Sequence, residues 1–252
     1  MANELIVVPI DERPDLTELL WQLDDEWPAF MRADPVANFY FTHAPRDHPG
    51  HALVAYEASA PDVAVARAFS VPFAFGSPGR EELPADGWDG VIRWGALDLA
   101  AGRAPNLVSA LEITIRRDRR GHGLAPVLLD ALRNNAGRLG FDELVAPVRP
   151  TGKAGEPHTP MSTYAFRARD DGLPADPWLR VHVRAGGEIV GVCGRAMVIP
   201  GTLAEWREWT GLPFDRTGDV LVPGALVPVH CSVEHDHAVY VEPGVWVRHR
   251  LT

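Results

Sequence analysis

The stretch LEITIRRDRRGHGLAPVLLDAL, residues 111 to 132, joins a strand pattern to a helix pattern through a short turn. Leu111, Ile113 and Ile115 occupy every second position, which predicts that they share one face of a strand. Leucines then recur at helical spacing from Leu124 onward, which predicts an amphipathic helix. The stretch therefore predicts a strand, a tight turn and a helix in immediate succession.

The turn itself, residues 120 to 125, has the properties of an anion-binding site. Gly121 and Gly123 carry no Cβ, so a ligand can approach the backbone closely. The free N–H groups of the first helical turn then point at that ligand beside the positive end of the helix dipole. Residues 116 to 120 include four arginines in a chain whose net charge is -10, which favours attraction of an anion over a merely solvated turn.

This turn differs from two widespread phosphate-binding motifs. It lacks the GK[ST] ending of a P-loop, and no third glycine completes the dinucleotide-binding fingerprint after Gly121 and Gly123. An ordinary strand-to-helix turn is the alternative interpretation, because glycine-rich turns are common in proteins. The strand and helix patterns on either side favour the anion-binding site.

Composition limits the class of protein. The 252 residues, 46% of them hydrophobic, are enough for one large domain with a sizeable core, and the net charge of -10 argues against general binding to nucleic acid. The first 15 residues contain only a short apolar run followed by acids, which predicts neither a signal peptide nor a membrane span, so a cytoplasmic location is expected. Cys193 and Cys231 predict buried thiols rather than disulfides, and the histidines between residues 230 and 249 lack metal-ligand spacing, so no metal is expected.

The motif resembles the signature of the GNAT superfamily, the acyl-coenzyme A-dependent N-acyltransferases. Ile115-x-Arg117-x-x-Arg120-Gly121-x-Gly123-x-Ala125 is similar to V-x-P-x-x-[RQ]-G-x-G-x-[GA], with Arg117 in place of the frequent proline. The resemblance implies an α/β fold with a mixed, mostly antiparallel sheet, in which a central parallel strand pair splays apart between flanking helices. It also implies acetyl-coenzyme A as acyl donor, with pantetheine along the strand and pyrophosphate on the turn. The expected binding residues are Ile113, Ile115, Arg116, Arg117, Arg120, Gly121, His122, Gly123, Leu124 and Ala125.

The other patterns fit a single GNAT-like domain over residues 1 to 252. Residues 88 to 100 predict a helix inserted before the motif strand, and residues 144 to 148 predict the second central strand. An antiparallel strand pair is expected at the C-terminal end, over residues 221 to 247 with a turn at 234 to 237. The aromatic segment before residue 42 is expected to line a pocket or an edge of the core.

Two side chains are candidates for acid–base chemistry. Asp176, Pro177 and Gly186 predict a short capped helix, and aligning its stop glycine with that of the fourth GNAT helix puts His182 at the position of the family's tyrosine acid. His182 is expected to protonate the leaving thiolate or to hydrogen-bond the thioester, and a packed histidine is the alternative. Glu112 points away from Ile113 and is a candidate base acting through a water, or simply a polar residue on a half-exposed strand.

A second resemblance suggests different chemistry. RPTGK at residues 149 to 153, DPWLRVHV at residues 176 to 183 and an arginine in the following strand resemble the GNAT-like loading domains of polyketide synthases. Those domains decarboxylate malonyl-type thioesters, and S-acyl transfer to a carrier protein has also been ascribed to them. The residues implied are Thr151 and His182 at the thioester, Arg195 as a carboxylate partner and Trp27 as a pocket wall.

Three functions therefore stay open: N-acetylation of a small amine, decarboxylation or S-acyl transfer of a malonyl-type thioester, and coenzyme A binding without catalysis. N-acetylation leads because it is the commonest activity in the resembled superfamily. The partner is accordingly a small amine or a carrier-protein thiol, with neither nucleic acid nor membrane expected.

Overall fold

A computed structural model describes residues 4 to 251, without the side chains of residues 24 to 26. Within these residues, nine strands form one sheet and six α-helices pack around it. The strands are β1 (Leu5–Pro9), β2 (Ala52–Glu57), β3 (Ala60–Phe73), β4 (Leu107–Ile115), β5 (Glu143–Val148), β6 (Glu188–Thr202), β7 (Gly218–Val220), β8 (Val229–Ser232) and β9 (His237–Arg250). The helices are α1 (Pro35–Asp47), α2 (Gly87–Ala101), α3 (Leu124–Arg138), α4 (Met161–Tyr164), α5 (Pro177–Arg184) and α6 (Leu203–Thr210), and Pro14–Glu26 forms a 3-10 helix. None of the helices in this described range is long and apolar enough to cross a membrane.

The order of the strands confirms the predicted mixed sheet. The sheet runs β1-β2-β3-β4-β5-β9-β8-β7, with β6 also paired to β9, and every pairing is antiparallel except that of β4 with β5. That parallel pairing is short, since only Val108 with Leu144 and Ser109 with Val145 are in register. Beyond these two positions β4 and β5 separate, as the resemblance implies, and the separation opens the middle of the sheet.

The motif strand β4 is less regular than its apolar alternation predicts. Phe69 pairs with Glu112 while Ser70 pairs with Ala110, so Leu111 is the extra residue of a β-bulge. Leu111 packs in a different part of the core from Ile113, because the bulge shifts the alternation of the strand by one residue. The prediction that Leu111 shares a face with the two isoleucines is therefore wrong. The Leu111 carbonyl, freed from the ladder, accepts a 2.9 Å hydrogen bond from the Trp88 indole on α2.

Helices α1 and α2 meet over two buried carboxylates. Asp34 caps α1 by accepting from the N–H groups of Val36 at 2.8 Å and Ala37 at 2.9 Å, and Asp89 on α2 accepts from the Val198 N–H at 3.2 Å. Asp34 Oδ2 and Asp89 Oδ1 have no hydrogen-bond partner among the described residues. Burial raises the pKa of Asp34 to about 6, and burial together with the charge of Asp34 raises the pKa of Asp89 to about 8. Asp89 is therefore largely protonated in the folded protein at neutral pH.

This raised pKa predicts that stability falls as the pH rises. In the unfolded chain the pKa of Asp89 is about 4. Folding therefore takes up a proton between that pH and about 8, and the free energy of unfolding declines over this interval as the pH rises. Asp89→Asn keeps an oxygen that accepts from Val198 and removes the ionisation. We expect the variant to be more stable than the parent by about 1 to 3 kcal/mol at alkaline pH.

Urea unfolding of parent and variant in acidic and alkaline buffers measures this difference. The exposed Asp62→Asn is the matched control and should leave the pH dependence of the parent unchanged. An Asp89→Asn variant that still loses stability with rising pH as steeply as the parent would contradict the assignment of the proton to Asp89.

Candidate active site

The separation of β4 and β5 opens a cavity of about 520 Å³. Ile113 on β4 and Val148 on β5 line opposite sides of it. Ala125, in the first turn of α3, lines one end, and Trp178 and His182 on α5 also contribute to its wall. One cavity therefore connects the glycine-rich turn with the helix that carries the candidate catalytic histidine.

The geometry of the turn fits a phosphate group of coenzyme A. Gly121 and Gly123 have φ values of +80° and +76°, in the left-handed region where a side chain causes strain, and Gly123 is the N-cap of α3. A Cβ at either glycine would meet no described atom within 4 Å, so open space lies above the backbone. The N–H groups of Leu124 and Ala125 are the first two of the helix and are available to an anion, whereas Pro126 has no N–H group.

The arginine run beside the turn is partly neutralised within the chain. Arg116 binds Asp118 at 2.7 Å and the Ala64 carbonyl at 3.0 Å, and Arg119 forms a 2.8 Å ion pair with Glu57. These contacts argue against the prediction that Arg116 binds coenzyme A, because its guanidinium is already engaged. Arg117, Arg120 and His122 are exposed at the turn, where the resemblance to the GNAT signature predicts that the diphosphate binds.

His182 is buried in the wall of the cavity. Asp176 accepts from the N–H groups at the start of α5, which fixes the helix, and the Trp178 ring stacks edge-on against the His182 ring with 4.6 Å between centroids. His182 Nδ1 lies 2.9 Å from His249 Nε2. Burial, and then His249, lower the pKa of His182 to about 3, so the ring is neutral at pH 7. His182 is therefore a neutral imidazole that can donate or accept one hydrogen bond at Nε2, and its role at the thioester stays a prediction.

Glu112 lines the cavity but is held by its neighbours. Its Oε1 accepts from Arg67 Nε at 2.7 Å and from Thr114 Oγ1 at 2.6 Å, and both members of the Arg67–Glu112 ion pair are buried. The expectation of a half-exposed strand is wrong here, because the 3-10 helix Pro14–Glu26 packs over this end of β4 and its Leu20 carbonyl accepts from Arg67.

The residues named through the loading-domain resemblance divide into two groups. Thr151 and Trp27 line the cavity together with His182, and the Trp27 indole donates to Thr114 Oγ1 at 2.8 Å. Arg195 does not line it: its side chain is 61% exposed and forms an ion pair with Asp86. The prediction that Arg195 binds the substrate is therefore not supported, since its guanidinium is engaged outside the cavity.

Sequence reasoning missed a second ion pair in the cavity. Glu242 on β9 is 2% exposed, with Arg149 Nε 3.0 Å from each of its carboxylate oxygens and the Tyr240 hydroxyl donating to it at 2.6 Å. The available signal was a single charged residue inside an apolar strand, which applies equally to Arg67 in β3. The aromatic wall was expected only in part, and its members are Trp21, Trp27, Phe41, Trp88 and Trp178.

Comparison with known proteins identifies the family. No family model matches the chain. The chain is 34% identical over 269 residues to the arginine N-acetyltransferase avaD of Aspergillus versicolor, covering 95% of this chain and 91% of that protein. Its fold is similar to that of the loading GNATL domain of CurA from Lyngbya majuscula, with a TM-score of 0.54, 15% identity and coverage of 99% of this chain and 98% of that one. It is also similar to that of the GphF GNAT-like decarboxylase in complex with isobutyryl-CoA, with a TM-score of 0.54, 18% identity and coverage of 99% and 100%. The match to avaD covers most of both proteins, and the sheet of this chain is split between β4 and β5. This chain therefore belongs to the GNAT superfamily, as an N-acetyltransferase that takes its acyl group from acetyl-coenzyme A.

Proposed function

We propose that the enzyme acetylates arginine, or a small amino acid that closely resembles it. The observation that carries this proposal is the lining of the cavity, which combines aromatic walls with two ion pairs, the buried Arg67–Glu112 and the half-buried Arg149–Glu242. Aromatic faces and carboxylates are suited to a cationic side chain, because a guanidinium stacks on rings and pairs with carboxylates. The 34% identity to a protein named arginine N-acetyltransferase points to the same substrate class.

The balance of charge favours an amino acid over a simple amine. Three guanidinium groups line the cavity, those of Arg32, Arg67 and Arg149, against the carboxylates of Glu112 and Glu242. A diamine would add positive charge to an environment that already has an excess of it. Arginine brings its own carboxylate, which offsets part of the positive charge that it adds to the cavity.

The reaction forms a C–N bond and breaks the C–S bond of the thioester. The attacking nitrogen must lose a proton, and the departing thiolate must gain one. We assign both transfers to His182 Nε2, because a neutral imidazole in the cavity wall can accept the proton from the nitrogen and return it to the sulfur. Thr151, at the rim of the cavity, is proposed as a hydrogen-bond donor to the thioester or to the substrate.

A panel of acceptors tests this proposal. We expect L-arginine to be acetylated with a kcat/KM at least about 10-fold above that of agmatine, because agmatine lacks the carboxylate and brings two positive charges into a cavity where guanidinium groups already outnumber carboxylates. L-lysine and a neutral arylalkylamine complete the panel, and tandem mass spectrometry locates the acetyl group. Equal or faster turnover of agmatine would contradict the proposed role of the carboxylate.

Decarboxylation of a malonyl thioester is the second candidate, because Thr151 and His182 line one cavity as that reaction needs. Arg195, its expected carboxylate partner, is engaged with Asp86 outside the cavity, which weakens this candidate. Incubation with malonyl-coenzyme A separates the two reactions, since acetyl-coenzyme A accumulates without any amine only if decarboxylation occurs. Thr151→Val should abolish that reaction and leave acetyl transfer measurable.

Three further properties of the protein are also proposed. The acceptor is proposed to be a free small molecule rather than a carrier-protein thiol, because the cavity walls are aromatic and the carboxylates of both its ion pairs are buried. The cytoplasmic location and the single-domain organisation over residues 1 to 252 are likewise proposed on sequence patterns alone.

A further inference from the structure

His182 and His249 form a buried pair of imidazoles, and the acyl transfer proposed above assigns a role only to His182. His249 lies on β9, opposite Leu144 of β5, and is 0% exposed, while His182 is 2% exposed. The hydrogen bond of 2.9 Å between His182 Nδ1 and His249 Nε2 needs one N–H and one lone pair. Each neutral ring carries a single proton, so the choice of donor also decides which nitrogen of His182 is protonated.

The surroundings of His249 favour one of the two arrangements. A weak hydrogen bond to the backbone of Ala185 acts to raise the pKa of the His249 ring. It is assigned to Nδ1, because Nε2 lies against His182 and Nδ1 has no shorter hydrogen bond among the described residues. A carbonyl oxygen can only accept, so a proton on Nδ1 faces it favourably and a lone pair on Nδ1 would be repelled. His249 Nε2 is then the acceptor, and His182 Nδ1 is the donor.

Packing holds the His249 ring in this orientation. A Cβ on Gly187, just after α5, would lie 2.6 Å from His249 Cε1, so only glycine allows the chain to pass this close to the ring. Burial, and then Arg133 on α3, lower the pKa of His249 to about 4, against smaller opposite effects of Ala185 and Asp130. Both rings of the pair are therefore neutral at pH 7.

We propose that His249 is a positioning residue. Its Nε2 accepts a hydrogen bond from the Nδ1–H group of His182, so that the unprotonated Nε2 of His182 is directed toward the cavity. The proposal rests on the function proposed above for His182. A carboxylate in place of His249 would orient the ring equally well but would favour a cationic His182, which would repel a cationic substrate. A neutral imidazole partner orients the base without adding charge.

Two substitutions of His249 separate orientation from packing. His249→Gln keeps a side-chain oxygen that can accept from His182 Nδ1, whereas His249→Phe keeps an aromatic ring and removes the acceptor. We expect the Phe variant to lose about 10- to 100-fold in kcat with an unchanged KM for acetyl-coenzyme A, and the Gln variant to recover most of that loss. A residue needed only for packing would not be rescued by the polar variant.

The tautomer of His182 is measured directly by nitrogen-15 NMR of the histidine rings. We expect the Nδ1–H form in the parent and in His249→Gln, and a shift toward the Nε2–H form in His249→Phe. An Nε2–H tautomer in the parent protein overturns the proposal even where the Phe variant does not fold, and so does full turnover by a folded Phe variant. If His182→Ala keeps turnover, the proposed function of His182 fails instead, while the tautomer measurement still decides the role of His249.

Discussion

His182→Ala should lower kcat by about 100- to 10,000-fold while the protein still binds acetyl-coenzyme A. The histidine lines the cavity between β4 and β5, and its neutral ring is the group that we assign to carry the proton from nitrogen to sulfur. Coenzyme A is expected to bind at the turn of Gly121 and Gly123, whose backbone the substitution does not touch. Steady-state kinetics with the best acceptor of the panel, together with calorimetric titration of acetyl-coenzyme A, measure the two effects separately.

A matched control lies one residue along the same helix. Val183 is partly buried on α5 and does not line the cavity, so Val183→Ala also shortens an apolar contact of this helix to alanine without changing the chemistry of the cavity. It should keep nearly the turnover of the parent. Turnover by His182→Ala at the level of the parent, on an identified acceptor, would make His182 a packing residue and remove the proposed mechanism.

The part of the fold that could be predicted is the part governed by local patterns. The glycines of the turn, the helix α3 after it and the capped helix α5 follow from backbone and capping preferences that act over a few residues. The bulge at Leu111 could not be predicted, because it depends on pairing with β3 and on the Trp88 indole that binds the freed carbonyl. Helix α1 was also missed, since its aromatic residues fit a pocket wall as well as a helix.

The candidate site shows the same division between local and distant effects. The resemblance put His182 on the helix that lines the cavity, but the burial of its ring and its contact with His249, 67 residues away, depend on elements distant in the sequence. The burial of Glu112 depends on Arg67, 45 residues earlier, and the Arg149–Glu242 pair spans 93 residues. Arg195 was predicted through the loading-domain resemblance, and the competing partner that holds it, Asp86, precedes helix α2. Contacts over such separations are set by the sheet topology, which no local pattern contains.

Gly123→Glu should weaken the binding of acetyl-coenzyme A by at least about 100-fold, because a carboxylate at the N-cap of α3 lies where the diphosphate is expected. The helix itself tolerates an acidic side chain at this end, since the dipole that attracts phosphate also attracts the carboxylate, so the fold should survive the roughly 1 to 2 kcal/mol of left-handed strain.

Gly140→Glu is the matched control for this effect. Gly140 follows the same helix at its opposite end, about 22 Å away along the fifteen residues of α3, with a φ of +88° and no described atom within 4 Å of a Cβ. The control introduces the same charge and comparable backbone strain far from the turn, so calorimetry should find its binding unchanged. Thermal melts should show at least as large a loss of stability in Gly140→Glu, because the helix dipole disfavours a carboxylate at this end. Binding by Gly123→Glu that equals that of the folded Gly140→Glu control would mean that the turn at Gly123 does not hold the diphosphate.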